Sequence, residues 1–363
     1  MKENTQIKRE YFAGAVSKNG FKNYFKDVFA PEKLNKLYII KGGSGTGKSA
    51  MIRKVANYFE SLGMNLEYFC CAFDPHSLDG ILIKEINCGI IDGTAPHVTD
   101  PIYPGAVEKI INVIENADEE LLRENKENII SLTKEKSEHM KKASSYLVAF
   151  SQIKNEISDF CGIGLKGEKM RAAAKKFVDR EISGGNDYNT KTRLISALGA
   201  SGAVKLDTFE NTSDKKCLIE DDFECAHHFL FEVLSHAKEK KTEVLVSYDT
   251  LTEKLNGLCF PNSSLSLTVD DRISWEKRFG EAYKYINMER FVDSDHIRKN
   301  RQKIRFERKC QAALYAGIES SFKDAMNVHL NIERIYGNAM DFSKNDLLCQ
   351  NIIDDFKKLC QEQ

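Results

Sequence analysis

No uninterrupted apolar run in the 363-residue sequence approaches the roughly 20 residues needed to cross a bilayer, so a membrane-spanning helix is not expected. The N-terminal Met1-Lys2-Glu3-Asn4-Thr5-Gln6 lacks the apolar core of a secretory signal. Neither sign of charge dominates: 53 Lys and Arg stand against 54 Asp and Glu, a formal net charge of −1, which argues against a nucleic-acid surface. None of the ten cysteines forms a C-x-x-C pair, so zinc and disulfide frameworks are both without support. These absences together predict a reducing, cytoplasmic setting with no membrane and no nucleic-acid partner. A hydrophobic content of 42% over this length suits two ordinary globular domains or one large one.

Against that plain background, Gly42-Gly43-Ser44-Gly45-Thr46-Gly47-Lys48-Ser49 fits the spacing G-x-x-x-x-G-K-[ST]. The preceding Lys36-Leu37-Tyr38-Ile39-Ile40 reads as a buried strand, and Met51, Ile52, Val55, Ala56 and Phe59 recur afterwards at helical spacing. Strand, glycine loop and amphipathic helix thus occur in the order that a phosphate-binding loop requires. Glycines let the backbone wrap an anion closely, with successive N–H groups and the helix N-terminus pointing at it. Lys48 then supplies charge to the β- and γ-phosphates, and Ser49 offers its hydroxyl to Mg²⁺.

Asp92 closes the apolar segment Cys88-Gly89-Ile90-Ile91 about 40 residues after Lys48, the form expected of a Walker B aspartate that supports Mg²⁺ at the carboxyl edge of a strand. It is followed by Gly93-Thr94-Ala95-Pro96-His97, with no adjacent glutamate to activate water. Between these motifs Glu67 to Phe73 reads as a strand leading into the loop Asp74-Pro75-His76-Ser77-Leu78-Asp79-Gly80. Asp74, His76, Asp79 and His97 are candidates for activating water or contacting a substrate, and Asp-Pro and Asp-Gly are equally the chemistry of tight turns.

A self-alignment runs through most of the chain at an offset that drifts between about 176 and 185, which predicts an internal duplication. Ala13 to Phe21 is echoed by Leu198 to Ala203, Ile39-Ile40 by Leu218-Ile219, Ser77 to Gly80 by Lys254 to Gly257, and Ile90 to Asp92 by Thr268 to Asp270. Aligned without a gap, the glycine loop falls on Asp221-Asp222-Phe223-Glu224-Cys225-Ala226-His227-His228, with His227 in the place of Lys48. Three carboxylates there would oppose an anion, so the second half reads as a degenerate copy.

Beyond Gly105 the pattern turns helical and charged, and each half is expected to carry a helical hairpin or small bundle attached to its sheet. The expected organisation is a first domain over 1–182 with a helical segment at 106–182, a linker at 183–188, and a second domain over 189–363 with a helical segment at 272–342. The basic run Arg298 to Lys309 reads as the solvated face of a helix. The fold class predicted is α/β, a tandem-duplicated P-loop NTPase with parallel sheets flanked by helices.

Phe12-Ala13-Gly14, the loop Lys41 to Ser49, the Asp74 to Gly80 loop and Ile91 to His97 together resemble an uncharacterised family of bacterial P-loop ATPases with two related nucleotide-binding halves. The resemblance covers nearly the whole chain and is strongest between positions 10 and 110. Typical members keep a glycine-lysine loop in the second half, from which Asp221 to His228 departs. The resemblance implies fold and nucleotide, and supplies no substrate. The function expected is Mg-ATP binding with slow hydrolysis by the first half, paired with a non-binding second half. ATP is preferred to GTP because no N-K-x-D string follows; Ser343-Lys344-Asn345-Asp346 lacks the leading asparagine. A phosphotransferase acting on a small acceptor and a non-catalytic ATP sensor are the alternatives, and a protein partner is unspecified.

Overall fold

The computed structural model describes residues 7–361; the stretch 1–6, read above for a secretory signal, lies outside them. The first half runs β1 (Arg9–Phe12), β2 (Gly14–Ser17), β3 (Gly20–Asn23), α1 (Phe25–Val28), β4 (Lys36–Lys41), α2 (Lys48–Ser61), β5 (Leu66–Cys70), β6 (Leu78–Ile83), β7 (Cys88–Asp92), β8 (Glu108–Asn112), α3 (Glu119–Glu124), α4 (Lys126–Ile163) and α5 (Gly167–Glu181). The second repeats this order as β9 (Asn189–Thr192), β10 (Ser196–Gly199), β11 (Gly202–Lys205), α6 (Thr208–Asn211), β12 (Lys215–Glu220), α7 (Ala226–Glu239), β13 (Glu243–Tyr248), β14 (Leu255–Phe260) and β15 (Leu265–Val269). It continues with α8 (Arg272–Phe279), β16 (Lys284–Asn287), α9 (Ser294–Lys299), α10 (Arg301–Ala339) and α11 (Phe342–Gln361).

The duplication extends to topology. The first sheet is ordered β1-β5-β6-β7-β4-β8 and the second, read from its other end, β9-β13-β14-β15-β12-β16. All neighbours pair parallel except β6 and its counterpart β14, which run antiparallel to both of their neighbours. The sheets are therefore mixed rather than wholly parallel. Leu78, Asp79 and Gly80, expected in a loop, instead open β6. The helical segment expected from 106 begins only at Glu119, because Glu108–Asn112 forms the edge strand β8. Its Glu108, which looks solvated in sequence, is buried and accepts the N–H groups of Ile102 at 2.6 Å and Tyr103 at 2.7 Å. Likewise β16 interrupts the helical run expected over 272–342.

Alternation along the strands builds two layers on each sheet. Tyr38 and Ile40 of β4 and Ile90 of β7 join one core, under Ile52, Val55 and Phe59 of α2. Leu37, Ile39 and Ile91 face the opposite core, which they share with Ile195, Phe209 and Cys259 of the second half. Arg193 crosses the same junction to Glu67, Nη2 to Oε2 at 2.7 Å, both nearly inaccessible.

The helices do not form a hairpin within each half. The long α4 and α10 pack on each other antiparallel: Lys136 near the start of α4 meets His329 near the end of α10, and Phe150 meets Tyr315. Each closing helix then crosses over. Met170, Ala174, Phe177 and Val178 of α5 pack with Phe229, Leu230 and Val233 of α7 in the second half. Cys349, Ile352, Ile353 and Phe356 of α11 return to α2 in the first. Packing thus crosses the boundary drawn at 183–188, because the apolar stripe of each closing helix is matched by the other half's α2 or α7.

Phe356 is fully buried and edge-on to Tyr38 with centroids 5.6 Å apart. Phe356→Ala is expected to lower stability by about 3–5 kcal/mol in urea unfolding. A loss under about 1 kcal/mol would show that α11 is a dispensable cover.

Candidate functional site

The ends of β4 and β7 are adjacent, with Ile40 opposite Asp92, and both motifs emerge at this edge of the first sheet. The chain leaves β4 through Gly42 to Gly47 and enters α2 at Lys48. Gly45 at φ +75° and Gly47 at φ +85° hold left-handed conformations, which glycine adopts without steric cost. Thr46 is buried, and its Oγ1 donates to the Gly43 carbonyl at 2.8 Å, fixing the loop from within. No side chain of Gly47 caps α2, so the first amides of the helix point into the loop.

Lys48 curls back over this loop. Its Nζ donates to the carbonyls of Gly43 at 2.6 Å and Gly42 at 3.2 Å and lies 3.5 Å from Asp92 Oδ2. Ser49 Oγ accepts the N–H of Leu78 at 2.8 Å, which ties α2 to the start of β6. Asp92 Oδ1 accepts the N–H of Thr94 at 2.8 Å and also the Thr94 hydroxyl.

Asp79 and His97 complete the group. Both are nearly inaccessible, with His97 Nε2 3.6 Å from Asp79 Oδ1 and the imidazole stacked on Phe25 at 4.9 Å. One ligand atom from each of Asp79, Asp92 and His97 lies within 4.8 Å of the other two. Burial by itself would lower the His97 pKa, but hydrogen bonding and attraction to Asp79, with Asp92 behind it, raise it above the ordinary value. Asp74 stands apart, its carboxylate engaged by the Ser77 hydroxyl at 2.7 Å and the His76 N–H at 3.3 Å. It therefore serves its own turn. His76 is exposed, and its carbonyl accepts from Arg53 at 2.7 Å.

The loop is roofed by the far end of the chain, which carries no local signal in the sequence. A Cβ placed on Gly45 would stand 2.3 Å from the carbonyl oxygen of Glu333 in α10, and one on Gly43 would stand 3.2 Å from the Tyr336 ring. Asn345 Nδ2 donates to the Thr46 carbonyl at 2.9 Å, and Asn116 Nδ2 donates to Asn345 Oδ1 at 2.9 Å. The string Ser343 to Asp346 thus braces the loop.

In the second half the corresponding turn is one residue shorter. Six residues, 42–47, separate β4 from α2, and five, 221–225, separate β12 from α7. The gapless alignment fails there, and Ala226, not His227, opens the helix where Lys48 opens α2. Asp221 fills the helix N-terminus, its carboxylate accepting the N–H of Ala226 at 2.6 Å and of Phe223 at 3.1 Å. Burial raises the Asp221 pKa, partly offset by these amides. His227 packs on His228 at 3.9 Å, and burial followed by the neighbouring ring lowers its pKa to about 3. Glu224, at φ +56°, takes the left-handed place that Gly45 takes in the first loop.

No protein-family model matches the chain, and comparison with curated proteins and with solved structures gives no match. The ten cysteines are free thiols, and no helix among the described residues is long and apolar enough to cross a membrane.

Because the His97 pKa is raised in the folded state, its pairing with Asp79 contributes stability in full below the unfolded value of 6.5 and loses it as pH rises through the folded value. Melting temperatures between about pH 6 and 8.5 should fall more steeply for the wild type than for Asp79→Asn. Parallel curves would contradict this pairing.

Proposed function

We propose that the first half is a P-loop nucleotide-binding domain that holds Mg-ATP in Gly42 to Ser49 and hydrolyses it slowly, while the second half binds no nucleotide. The observation that carries this reading is the convergence of Lys48, at the head of α2, and Asp92, at the end of the neighbouring strand, 3.5 Å apart over a loop with two left-handed glycines. A glycine turn matching the spacing by accident has no reason to bring these two charges together. The α/β sheet, with both motifs at one strand edge, is where phosphate groups are bound in such folds. This is also the arrangement expected of the two-halved P-loop ATPase family that the motifs resemble.

Lys48 would release the Gly42 and Gly43 carbonyls to meet the β- and γ-phosphates, and the loop amides would take the remaining phosphate oxygens. Ser49 and Asp92 offer hard oxygen donors, which suit Mg²⁺. When bound, that ion neutralises charge on the β- and γ-oxygens. No glutamate follows Asp92, so orientation of the attacking water falls to the buried Asp79–His97 pair, which each bring a side-chain ligand atom within 4.8 Å of the Asp92 carboxylate. Engagement of Asp74 within its own turn removes the acceptor contact that a phosphotransferase would have drawn from it, and this favours hydrolysis. In the second half Asp221 occupies the helix N-terminus that a phosphate would need, which supports its reading as a pseudo-site. Cytoplasmic residence and a preference for ATP over GTP belong to the same proposal.

Phosphate release and Mg-ATP affinity, measured for wild type, Lys48→Ala and Asp92→Asn, test the reading. Lys48→Ala should weaken ATP binding by about ten- to a hundredfold through loss of a charge-assisted contact. Asp92→Asn should lower turnover by about a hundredfold with binding less affected. Equal behaviour of all three proteins would refute the assignment.

A further inference from the structure

The two loops are covered alike, each by the long helix that arises in the other half, and comparing them exposes a cation that, in the first half, has no directly paired carboxylate. At the second loop, Ser158 Oγ of α4 donates to the Glu224 carbonyl at 2.8 Å. One turn earlier on α4, Lys154 Nζ pairs with Asp249 Oδ2 at 2.5 Å and Glu224 Oε2 at 3.4 Å. The ammonium is thus matched by two carboxylates, one from the loop and one from the residue directly after β13.

The starts of α4 and α10 are 175 residues apart (301 − 126), which places Glu333 in the position of Ser158 and His329 in that of Lys154. Glu333 does lie on Gly45, the counterpart of Glu224. Here the loop offers no carboxylate, because Gly45 has no side chain. The cation nevertheless remains: Lys136 of α4 reaches the same place, its Nζ 2.8 Å from His329 Nδ1 and 5.9 Å from the centre of the Phe73 ring, while His329 Nε2 lies 3.4 Å from Glu333 Oε1. Among the described residues no carboxylate oxygen comes within 4.0 Å of Lys136 Nζ. Burial pushes the Lys136 amine below its ordinary pKa, the reverse of Lys154, whose paired carboxylates outweigh its burial and raise it. The Glu333 carboxylate attracts this half-buried ammonium from beyond His329, and the directly paired anion that its counterpart has is missing.

We propose that Lys136 is a second phosphate-binding cation, contacting the terminal phosphate of the nucleoside triphosphate held by Gly42 to Ser49 and receiving from it the negative charge that Glu224 and Asp249 give Lys154. This rests on the nucleotide reading above. His329 acts as a positioning residue that holds the lysine toward the loop. The site is then built from both halves, with the loop and Lys136 from the first and the His329–Glu333 pair from the second.

Calorimetric titration with ATP and with ADP, each with Mg²⁺, separates this role from a structural one for wild type, Lys136→Met and Lys136→Arg. Methionine keeps the length and packing of the stem, so folding should be retained. Lys136→Met should lose about ten- to a hundredfold in affinity for ATP with ADP affinity changed less than about twofold, and Lys136→Arg should recover most of the loss. Equal weakening toward both nucleotides, or no change toward either, would overturn the role of Lys136 while leaving the nucleotide site standing. Wild-type protein that binds neither nucleotide would overturn both.

Discussion

The close seating of α10 on the glycine loop is the constraint around which the rest of this molecule is arranged. The backbone of Glu333 approaches Gly45 so closely that a single added carbon would stand 2.3 Å from its carbonyl oxygen. Gly45 is thus favoured by its left-handed φ, which Glu224 also adopts at the second loop, and required by its neighbour. Holding α10 there fixes the start of α11, whose Asn345 bonds the loop at the Thr46 carbonyl and whose apolar stripe completes the core beneath α2. It also sets the register of the long-helix pair, which brings Lys136 to His329 beside the loop. No unit drawn at the middle of the chain carries a complete set of these contacts.

Two halves that share a sheet topology differ in the charge around their loops. Both sheets keep the same strand order, α2 and α7 each span 14 residues, and both loops are covered by a helix from the opposite half. The second loop is satisfied from within, by Asp221 at the helix N-terminus and by Glu224 with Asp249 around Lys154. The first has glycines in place of Asp221 and Glu224, and its cations turn to main-chain carbonyls, to Asp92 and to the His329 imidazole. In the proposed reading one half is the internally charged image of the other in its loaded state. On that reading, one internally completed site and one that a ligand would complete give the fold a means of relating occupancy to the arrangement of its halves.

How much of this was legible in the sequence follows from how local each signal is. β4, the glycine loop and α2 are contiguous, so apolar alternation, glycine spacing and helical periodicity all report on the same stretch, and each is found where expected. Asp92 is likewise found at the end of a strand beside the loop, because its apolar run is short and buried on both faces. The antiparallel β6 was hidden because Asp79 and Gly80 have the composition of a turn while lying inside a sheet. β8 and β16 were hidden because these short edge strands carry exposed or partly exposed polar residues, Lys109 and Asn112 in one and Lys284 and Asn287 in the other, which resemble a solvated helix. The duplication was visible as an offset, but one missing loop residue shifted the match, so that Ala226 replaced His227 opposite Lys48. Lys136, His329 and Glu333 could not be read at all, since nothing local distinguishes them from the polar face of a long helix. Their roles come from an antiparallel pairing between helices nearly two hundred residues apart.

The most direct test of this account is backbone hydrogen exchange across the chain with and without saturating Mg-ATP. Added nucleotide should slow exchange at 42–49 and, in step with it, at 329–345 and around Lys136, while 221–228 stays unchanged because its anion is already built in. Protection confined to 42–49, or appearing at 221–228, would contradict a site closed by the helix from the opposite half.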